Sequence, residues 1–180
     1  NPIHHGHLVA AQEVAERFAL HHLLVLPTYY PPHKLAPNLP EAHHRLAMAK
    51  LATAENPLFS VCELEIDRGG LSYTVETLPV LAQQYEADAV FYFIVGIDVF
   101  RDVVSWKRAD ELFGMCHFVV TTRPPHEAFD LEAHLKTTVP PVYPKTQFER
   151  RETKENEQAV GLVGSPFTIY SCRVPYLDIS

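Results

Sequence analysis

Continuous runs of apolar residues restrict the fold of this chain more than any other feature. They cover positions 23–26, 89–95 and 118–120. A strand whose consecutive residues are all apolar is buried on both faces, which is typical of a parallel sheet covered by helices. Outside these runs apolar residues recur at helical spacing, as at positions 8, 11, 14, 15 and 18 before the first run. The alternation predicts an α/β fold: a doubly wound parallel sheet with helices on both faces.

Two further helices follow from the same spacing. One is predicted over 41–54 and another after Ser72-Tyr73-Thr74, where Ser72 and Thr74 are both candidate N-caps. Pro79 lies inside the second helical pattern, and an interior proline costs about 3 kcal/mol. We therefore expect that helix either to begin after Thr74 or to be kinked.

Strand patterns are less regular in the remaining segments. Apolar and acidic residues alternate over 59–67, which predicts one half-buried strand. Further strands are predicted over 167–172 and 176–179. The region 124–164 is polar and interrupted by prolines, and its charged cluster at 149–157 is interpreted as a solvated loop or insertion.

Length and charge narrow the classes of function. A chain of 180 residues is long enough for a single domain with a substantial core. Its net charge of −7 argues against a broad nucleic-acid surface, so an anion site would be a local pocket. No apolar run reaches membrane-spanning length, and we expect no membrane partner. The sequence leaves the oligomeric state open between a monomer and a homodimer.

The cysteines indicate a reducing compartment. Cys62, Cys116 and Cys172 are widely separated, odd in number and without a CxxC pair. This pattern argues against a zinc site and against a disulfide framework. We interpret Cys62 and Cys116 as core thiols and expect a cytoplasmic protein.

The first eight residues carry the clearest chemical signal. His4 and His7 flank Gly6 just where a helical pattern begins. A helix N-terminus attracts anions, glycine permits a close approach, and imidazoles add donors near neutral pH. Taken alone, the stretch is equally consistent with a phosphate site and with a histidine-rich turn that caps a surface helix.

Polar residues follow the predicted strands at their carboxyl ends, where open α/β sheets bind ligands. Each has an ordinary alternative: Asp98 could cap the next helix, Trp106 could be a packed aromatic, and Lys34 and Arg123 could be solvated charges. Arg45, early in a predicted helix, is unfavourable for the helix dipole and hints at an anion partner. From its own stretch, a solvated arginine is the simpler explanation. The coincidence of several such residues at one sheet edge favours a binding site.

The residue types favour transfer of a phosphoryl or nucleotidyl group. The chain has no G-x-S-x-G elbow, no Walker A loop and no G-x-G-x-x-G fingerprint. Histidines, lysine and arginines around phosphates position two reactants and stabilise spreading negative charge. No protein nucleophile is needed when one substrate attacks the other.

Positions 1–8 match the (D/N)-P-x-H-x-G-H-L motif of the HxGH nucleotidyltransferase superfamily. More narrowly, the chain resembles bacterial nicotinate-nucleotide adenylyltransferases, whose Rossmann-like fold it would share. That resemblance continues, in order, through Pro31-Pro32-His33-Lys34, Arg45, Ser72-Tyr73-Thr74, Gly96-Ile97-Asp98, Trp106 and Arg123-Pro124.

The resemblance implies transfer of an adenylyl group from ATP, with Mg²⁺, to nicotinate mononucleotide. It implies His4 and His7 as catalytic residues. It assigns ATP binding to His4, Gly6, His7, Gly96, Asp98, Arg123 and Ser180. It assigns acceptor binding to Lys34, Arg45, Ser72, Thr74, Asp98 and Trp106, with Trp106 stacking on the pyridine ring. It implies no protein-held metal ion.

Two departures from the family pattern concern the ends of the chain. Such proteins carry a strand and a glycine-rich turn before the Asn-Pro, and an I-S-x-T-x-I-R motif that here stops at Ser180. We therefore expect residues 1–180 to be a single nucleotidyltransferase domain that lacks its first strand and its C-terminal helical part.

Three alternatives to this function stay open. The acceptor could be nicotinamide mononucleotide or phosphopantetheine, although Ser72-Tyr73-Thr74 with Trp106 favours a pyridine ring. The chain could instead be a nucleotide-binding regulator without catalysis. It could also bind a metal ion through His4, His5 and His7, with His33, His43 and His44 as further candidate ligands. The adjacent His43 and His44 would, however, point about 100° apart on a helix.

Overall fold

The parallel strands expected from the apolar runs are present in a computed structural model of the protein, which describes residues 2–32, 39–124, 129–153 and 158–175. The described residues up to Val80 form one unit, and those from Leu81 onward form a second. Each unit has its own sheet, of two and five strands respectively. The predicted strand over 176–179 lies outside the described residues.

The sheet of the first unit is a short parallel pair. Strand β1 (Leu23–Val25) pairs with β2 (Phe59–Val61), with Leu23 opposite Phe59. The helices of this unit are α1 (His5–Phe18), α2 (Ala42–Thr53) and α3 (Leu64–Arg68), and α4 (Thr74–Ala82) begins here. Their apolar faces are buried at Val14, Ala15, Leu46, Ala49, Ile66 and Val75. Helix α4 starts at Thr74 with Pro79 inside it, so the first of the two alternatives, a later start, was wrong, and a kink at Pro79 stays a prediction.

The strand predicted over 59–67 ends early. Strand β2 stops at Val61, and the next residues turn into helix α3. The reason is Glu65, which alternation placed on a wet face but which is buried. Its Oε1 accepts a hydrogen bond from Thr77 Oγ1 at 2.7 Å, and this hydroxyl also accepts from Arg68 at 3.1 Å. A buried carboxylate with a partner on α4 is a tertiary feature that alternation does not reveal.

The sheet of the second unit is parallel on one side and antiparallel on the other. Its strands are β3 (Tyr92–Gly96), β4 (His117–Thr122), β5 (Phe148–Arg150), β6 (Gln158–Leu162) and β7 (Thr168–Arg173), in the order β3-β4-β7-β6-β5. Strands β3, β4 and β7 are parallel, whereas β6 and β5 are antiparallel additions. The strand predicted over 167–172 is thus confirmed as β7.

Short helices connect these strands. They are α5 (Ile97–Phe100), a 3₁₀ turn (Val103–Ser105), α6 (Ala109–Leu112) and α7 (Leu131–Thr138). The core between them combines three fully buried phenylalanines, Phe100, Phe113 and Phe118, with aliphatic side chains. Among the described ranges, no helix is long and apolar enough to cross a membrane.

The interpretation of 149–157 as a solvated loop was right for most of its described residues in exposure, since Glu149, Arg150, Glu152 and Thr153 are exposed, but Glu149 and Arg150 lie in strand β5 and not in a loop. Arg151 lies against Gly161 of β6, in the space that a side chain there would occupy. The Arg151 guanidinium donates to the carbonyl oxygens of Leu162, Ser165 and Pro166 and to Thr168 Oγ1, at 2.5 to 3.4 Å. One arginine therefore organises the turn between β6 and β7. Sequence alone gave no sign of it, since its acceptors are mostly backbone atoms.

We expect His117 to make the stability of the second unit depend on pH. Its ring stacks on Tyr92 at 4.7 Å, and its Nδ1 accepts the backbone N–H of Thr168 at 3.0 Å. Burial, together with the nearby charge of Arg151, lowers the pKa of His117. Burial also lowers the pKa of His134 on α7. At a pH below the ordinary histidine pKa of about 6.5, these two side chains are therefore protonated more readily in the unfolded chain than in the folded protein.

We therefore expect the free energy of unfolding to be level above about pH 7 and to fall as the pH drops below 6.5, by up to about 1.4 kcal/mol per unit of pKa depression. Urea titrations at pH 7.5, 6.5 and 5.5 measure this. In His117→Asn the amide oxygen can still accept from Thr168 but does not titrate, so the fall should be smaller. Parallel curves for the two proteins would rule out His117 as the source.

The three cysteines are free thiols with different environments. Cys116 and Cys172 are 1% and 0% exposed, whereas Cys62 is half-buried just after β2. Burial raises the pKa of Cys116 to about 12. Cys116 and Cys172 are core thiols, and Cys62 is only partly so.

Candidate functional site

Two imidazoles lie against each other at the start of α1. His4 precedes the helix in an extended conformation, and its ring centroid is 3.8 Å from that of His7. The backbone N–H of His4 donates to His7 Nδ1 at 3.3 Å, and the backbone N–H of His7 donates to the His4 carbonyl at 2.9 Å. A spacing of three residues across a helix N-terminus allows this reciprocal contact.

The contact determines which nitrogen of His7 carries the proton. Because the donor is a backbone N–H, His7 Nδ1 is the acceptor, and the neutral ring then carries its hydrogen on Nε2. The His7 side chain is exposed, so Nε2–H sits on an accessible ring. The arrangement suits a hydrogen-bond donor to an anion.

The start of α1 contains no carboxylate that would repel an anion. No acidic residue lies in its first turn, and Gly6 there has no side chain. A helix N-terminus also offers unpaired N–H groups and a partial positive charge. His5, by contrast, is exposed and makes neither of the contacts that join His4 to His7. Chemically, this turn can hold a phosphate.

Arg45 occupies an interior position, which the sequence did not suggest. Its side chain is 4% exposed. The guanidinium donates through Nε to the Pro40 carbonyl at 3.0 Å, and through its terminal nitrogens to Thr28 Oγ1 at 3.3 Å and to the Tyr29 carbonyl at 2.8 Å. Burial lowers the pKa of Arg45, yet arginine stays protonated in proteins. Interpreting it as a solvated arginine was wrong.

Ser72 contacts the same residue, Tyr29, at its backbone N–H, whereas Arg45 contacts its carbonyl. The Tyr29 backbone N–H donates to Ser72 Oγ at 2.9 Å, and Ser72 is buried. This hydroxyl therefore does not cap α4, whose first residue is the half-buried Thr74. Sequence reasoning missed Tyr29, because its backbone rather than its side chain makes these contacts.

In the second unit, two predicted nucleotide-binding residues form an ion pair. Asp98 lies in the first turn of α5, just after β3, and Arg123 directly follows the neighbouring parallel strand β4. Arg123 lies 3.7 Å from Asp98 Oδ2, and both side chains are about half exposed. Gly96 ends β3 on the surface, with open space where a side chain would be. Adjacent parallel strands thus bring Asp98 and Arg123 together at the ends of β3 and β4.

Trp106 follows the 3₁₀ turn and is half-buried. Its indole packs edge-to-face against Phe93 of β3, with centroids 5.9 Å apart. The packing orients the ring, and the half-buried side chain keeps part of its surface accessible. Stacking on a ligand ring stays a prediction.

Some predicted residues lie outside the described part of the chain. These are Lys34, the neighbouring His33, and Ser180. Within the described ranges, no group of three His, Cys, Asp or Glu residues is arranged to hold a metal ion.

Comparison with known proteins gives a consistent set of relatives. The cytidylyltransferase-like family matches residues 1–159. A probable nicotinate-nucleotide adenylyltransferase of Tropheryma whipplei is 46% identical over 131 residues, or 73% of this chain and 69% of that protein. The corresponding protein of Arthrobacter sp. is 46% identical over 126 residues, or 70% of this chain. This chain spans only 61% of the length of the Arthrobacter protein.

Solved structures agree on the fold. The nicotinic acid mononucleotide adenylyltransferase of Plasmodium falciparum, complexed with NaAD, superposes with a TM-score of 0.66 over 98% of this chain and 72% of that one. Its complex with APC gives a TM-score of 0.64. At 19% and 18% identity these likenesses concern the backbone, and they confirm the predicted Rossmann-like α/β fold class.

Proposed function

Since the chain belongs to the cytidylyltransferase-like family and its relatives are nicotinate-nucleotide adenylyltransferases, we propose that it transfers the adenylyl group of ATP to nicotinate mononucleotide, giving deamido-NAD and pyrophosphate. The observation that carries the proposal is the imidazole pair at the start of α1, with His7 held as an Nε2–H donor. We infer the reaction from the relatives, and the imidazole pair provides a hydrogen-bond donor that suits this reaction.

In the proposed reaction, a 5′-phosphate oxygen of nicotinate mononucleotide attacks the α-phosphorus of ATP. The new P–O bond forms as the bond from the α-phosphorus to the bridging oxygen breaks, and pyrophosphate leaves with that electron pair. His7 Nε2–H and the α1 N-terminus stabilise the negative charge that spreads over the phosphate oxygens, and His4 holds the His7 ring in place. Mg²⁺, bound by the phosphates of ATP, would neutralise part of that charge.

The other roles are proposed residue by residue. Gly6 lets a phosphate approach the α1 backbone, and Gly96, Asp98 and Arg123 bind the adenylate half, with Asp98 on ribose hydroxyls. Thr74 and Trp106 contact the pyridine ring, and Lys34 meets the acceptor phosphate. Ser180 contacts ATP, and Arg45 and Ser72 serve the acceptor nucleotide. The three free thiols fit a cytoplasmic enzyme, which we propose to be a monomer or homodimer.

The test of the function is turnover. The protein is incubated with ATP, Mg²⁺ and nicotinate mononucleotide, and pyrophosphate release is measured together with deamido-NAD. We expect kcat/KM to be highest for nicotinate mononucleotide when nicotinamide mononucleotide and phosphopantetheine are compared with it. A preference for either of these would identify the alternative acceptor. ATP binding without turnover on any acceptor would favour a nucleotide-binding regulator.

A variant of Asp98 tests the proposed binding of ATP separately from the stability of the protein. Because its ion pair with Arg123 is half exposed, Asp98→Asn should change the free energy of unfolding by less than about 1 kcal/mol. Loss of a charged hydrogen-bond acceptor for ribose should lower kcat/KM for ATP by about tenfold to a hundredfold. Asp67→Asn, which neutralises an exposed carboxylate on α3, is the matched control and should leave turnover unchanged. Equal kinetics in both variants would remove Asp98 from the site.

A further inference from the structure

Arg45 connects two positions of the chain that lie eleven residues apart. Its Nε donates to the carbonyl of Pro40, while its terminal nitrogens donate to Thr28 Oγ1 and to the carbonyl of Tyr29. One guanidinium therefore holds together the residues that precede and follow the segment on which Lys34 occurs in the sequence. All three acceptors are neutral, and among the described residues no carboxylate lies within ion-pair distance of it.

Burial argues against direct contact between Arg45 and a substrate phosphate. The residue is 4% exposed, and each of its three nitrogens already donates to the protein. Nη1 and Nη2 each keep a second N–H, but because the residue is 4% exposed a phosphate has little access to these groups. The planar guanidinium is the side chain best suited to this kind of three-point attachment, because its donors lie in a rigid fork.

The backbones of Tyr29 and Tyr30 connect Arg45 to the segment before α4. We call this set of hydrogen bonds the Arg45 attachment. The Tyr29 N–H donates to Ser72 Oγ, and its carbonyl accepts from Arg45. Tyr30 continues the contact as a parallel bridge, since its N–H donates to the Gly70 carbonyl at 3.2 Å and its carbonyl accepts from the Ser72 N–H at 3.0 Å. Two residues beyond Ser72 comes Thr74, proposed to contact the pyridine ring.

We propose that Arg45 and Ser72 are positioning residues that act on the acceptor nucleotide through Tyr29, rather than ligands of its phosphate. This rests on the proposed function only for the identity of the acceptor. Arg45 holds the Tyr29 carbonyl, Ser72 joins the N–H of the same residue to the segment leading to Thr74, and together they set the geometry in which nicotinate mononucleotide binds. The ATP half of the reaction does not depend on them.

Hydrogen exchange tests the attachment without any substrate. Pro31 and Pro32 carry no amide hydrogen, so a peptide ending at Pro32 reports mainly on Thr28, Tyr29 and Tyr30. In Arg45→Met, loss of three charge-assisted hydrogen bonds should speed exchange of these amides by about tenfold or more. Arg45→Lys keeps the charge but not the fork, so it should show an intermediate rate and serves as the folded variant if Arg45→Met is unstable. Lys50→Met removes an exposed cation from the same helix and should leave the rate unchanged.

Steady-state kinetics then separates positioning from a general structural role. In Arg45→Met we expect KM for nicotinate mononucleotide to rise about tenfold while KM for ATP stays within about twofold, with partial recovery in Arg45→Lys. A raised KM with unchanged exchange would show that Arg45 touches the phosphate directly, which overturns the proposal. Faster exchange with both KM values unchanged would overturn it too, since the attachment would then be structural only. Absence of turnover in the unmutated protein would refute the proposed function, while the exchange result would still decide whether the attachment exists.

Discussion

Replacing His7 with alanine should lower kcat for adenylyl transfer by about a hundredfold to a thousandfold, the usual cost of removing one donor from a developing oxyanion. The reason is the fixed tautomer: His4 donates to Nδ1, so Nε2–H is the donor that faces the transferring phosphate in the proposed reaction. The same change also removes an acceptor from the helix start, which costs about 1 kcal/mol of stability. Rapid-quench turnover and urea unfolding measure the two effects separately.

Two further variants separate catalysis from capping. In His7→Asn the short amide oxygen can replace Nδ1 as acceptor for the His4 N–H, but no group replaces Nε2–H. We expect this variant to keep most of the stability while losing as much kcat as His7→Ala. His5→Ala alters an exposed neighbour in the same turn and should turn over normally. If His7→Asn kept full activity, His7 would be a cap and not a catalytic residue.

Gly161→Ala should destabilise the second unit by about 2 to 4 kcal/mol, combining overpacking with weakened charged hydrogen bonds. A side chain at position 161 would overlap the Arg151 guanidinium, which cannot move aside without releasing its acceptors Ser165, Pro166 and Thr168. Chemical denaturation gives the change in the free energy of unfolding.

The matching control is a double-mutant cycle with Arg151→Met. Because methionine is flexible and makes no hydrogen bonds, Gly161→Ala should cost about 1 kcal/mol or less in that background. A strong coupling between the two substitutions would confirm that position 161 requires glycine because the Arg151 side chain lies against it. Additive effects would mean that the strand itself, and not Arg151, requires glycine.

The fold was predictable where local pattern and burial agree. Helix α1 follows from its apolar spacing, which places Val14 and Ala15 in the core. Strand β3 follows from its apolar run, although it begins only at Tyr92 and only Val95 is fully buried. The prediction of a single strand over 59–67 was wrong because Glu65 is buried against Thr77, a contact between residues twelve positions apart. The strand β5 was missed because its stability comes from pairing with β6 and from Arg151, neither of which leaves a periodic signal.

The candidate site divides in the same way. Side-chain chemistry identified His4, His7, Asp98 and Arg123, and the structure pairs the first two and the last two. The sequence could not indicate that Arg45 and Ser72 both contact the backbone of Tyr29, because backbone N–H and carbonyl groups are the same in almost every residue type. Polar residues can be recognised in a sequence as chemically capable, but whether they face a ligand or the backbone is decided by packing.

Because the three thiols differ in burial, Cys62 can be labelled selectively. With Cys116 and Cys172 enclosed and Cys62 half-buried, a maleimide or mercurial applied to the native protein should modify Cys62 first, giving one attachment point for a fluorophore or heavy atom. Cys62 comes immediately after β2, so a dye there would report on the first unit alone. Uptake of a second and third equivalent would then mark global unfolding, and its rate would provide a label-based clock for how often the core opens.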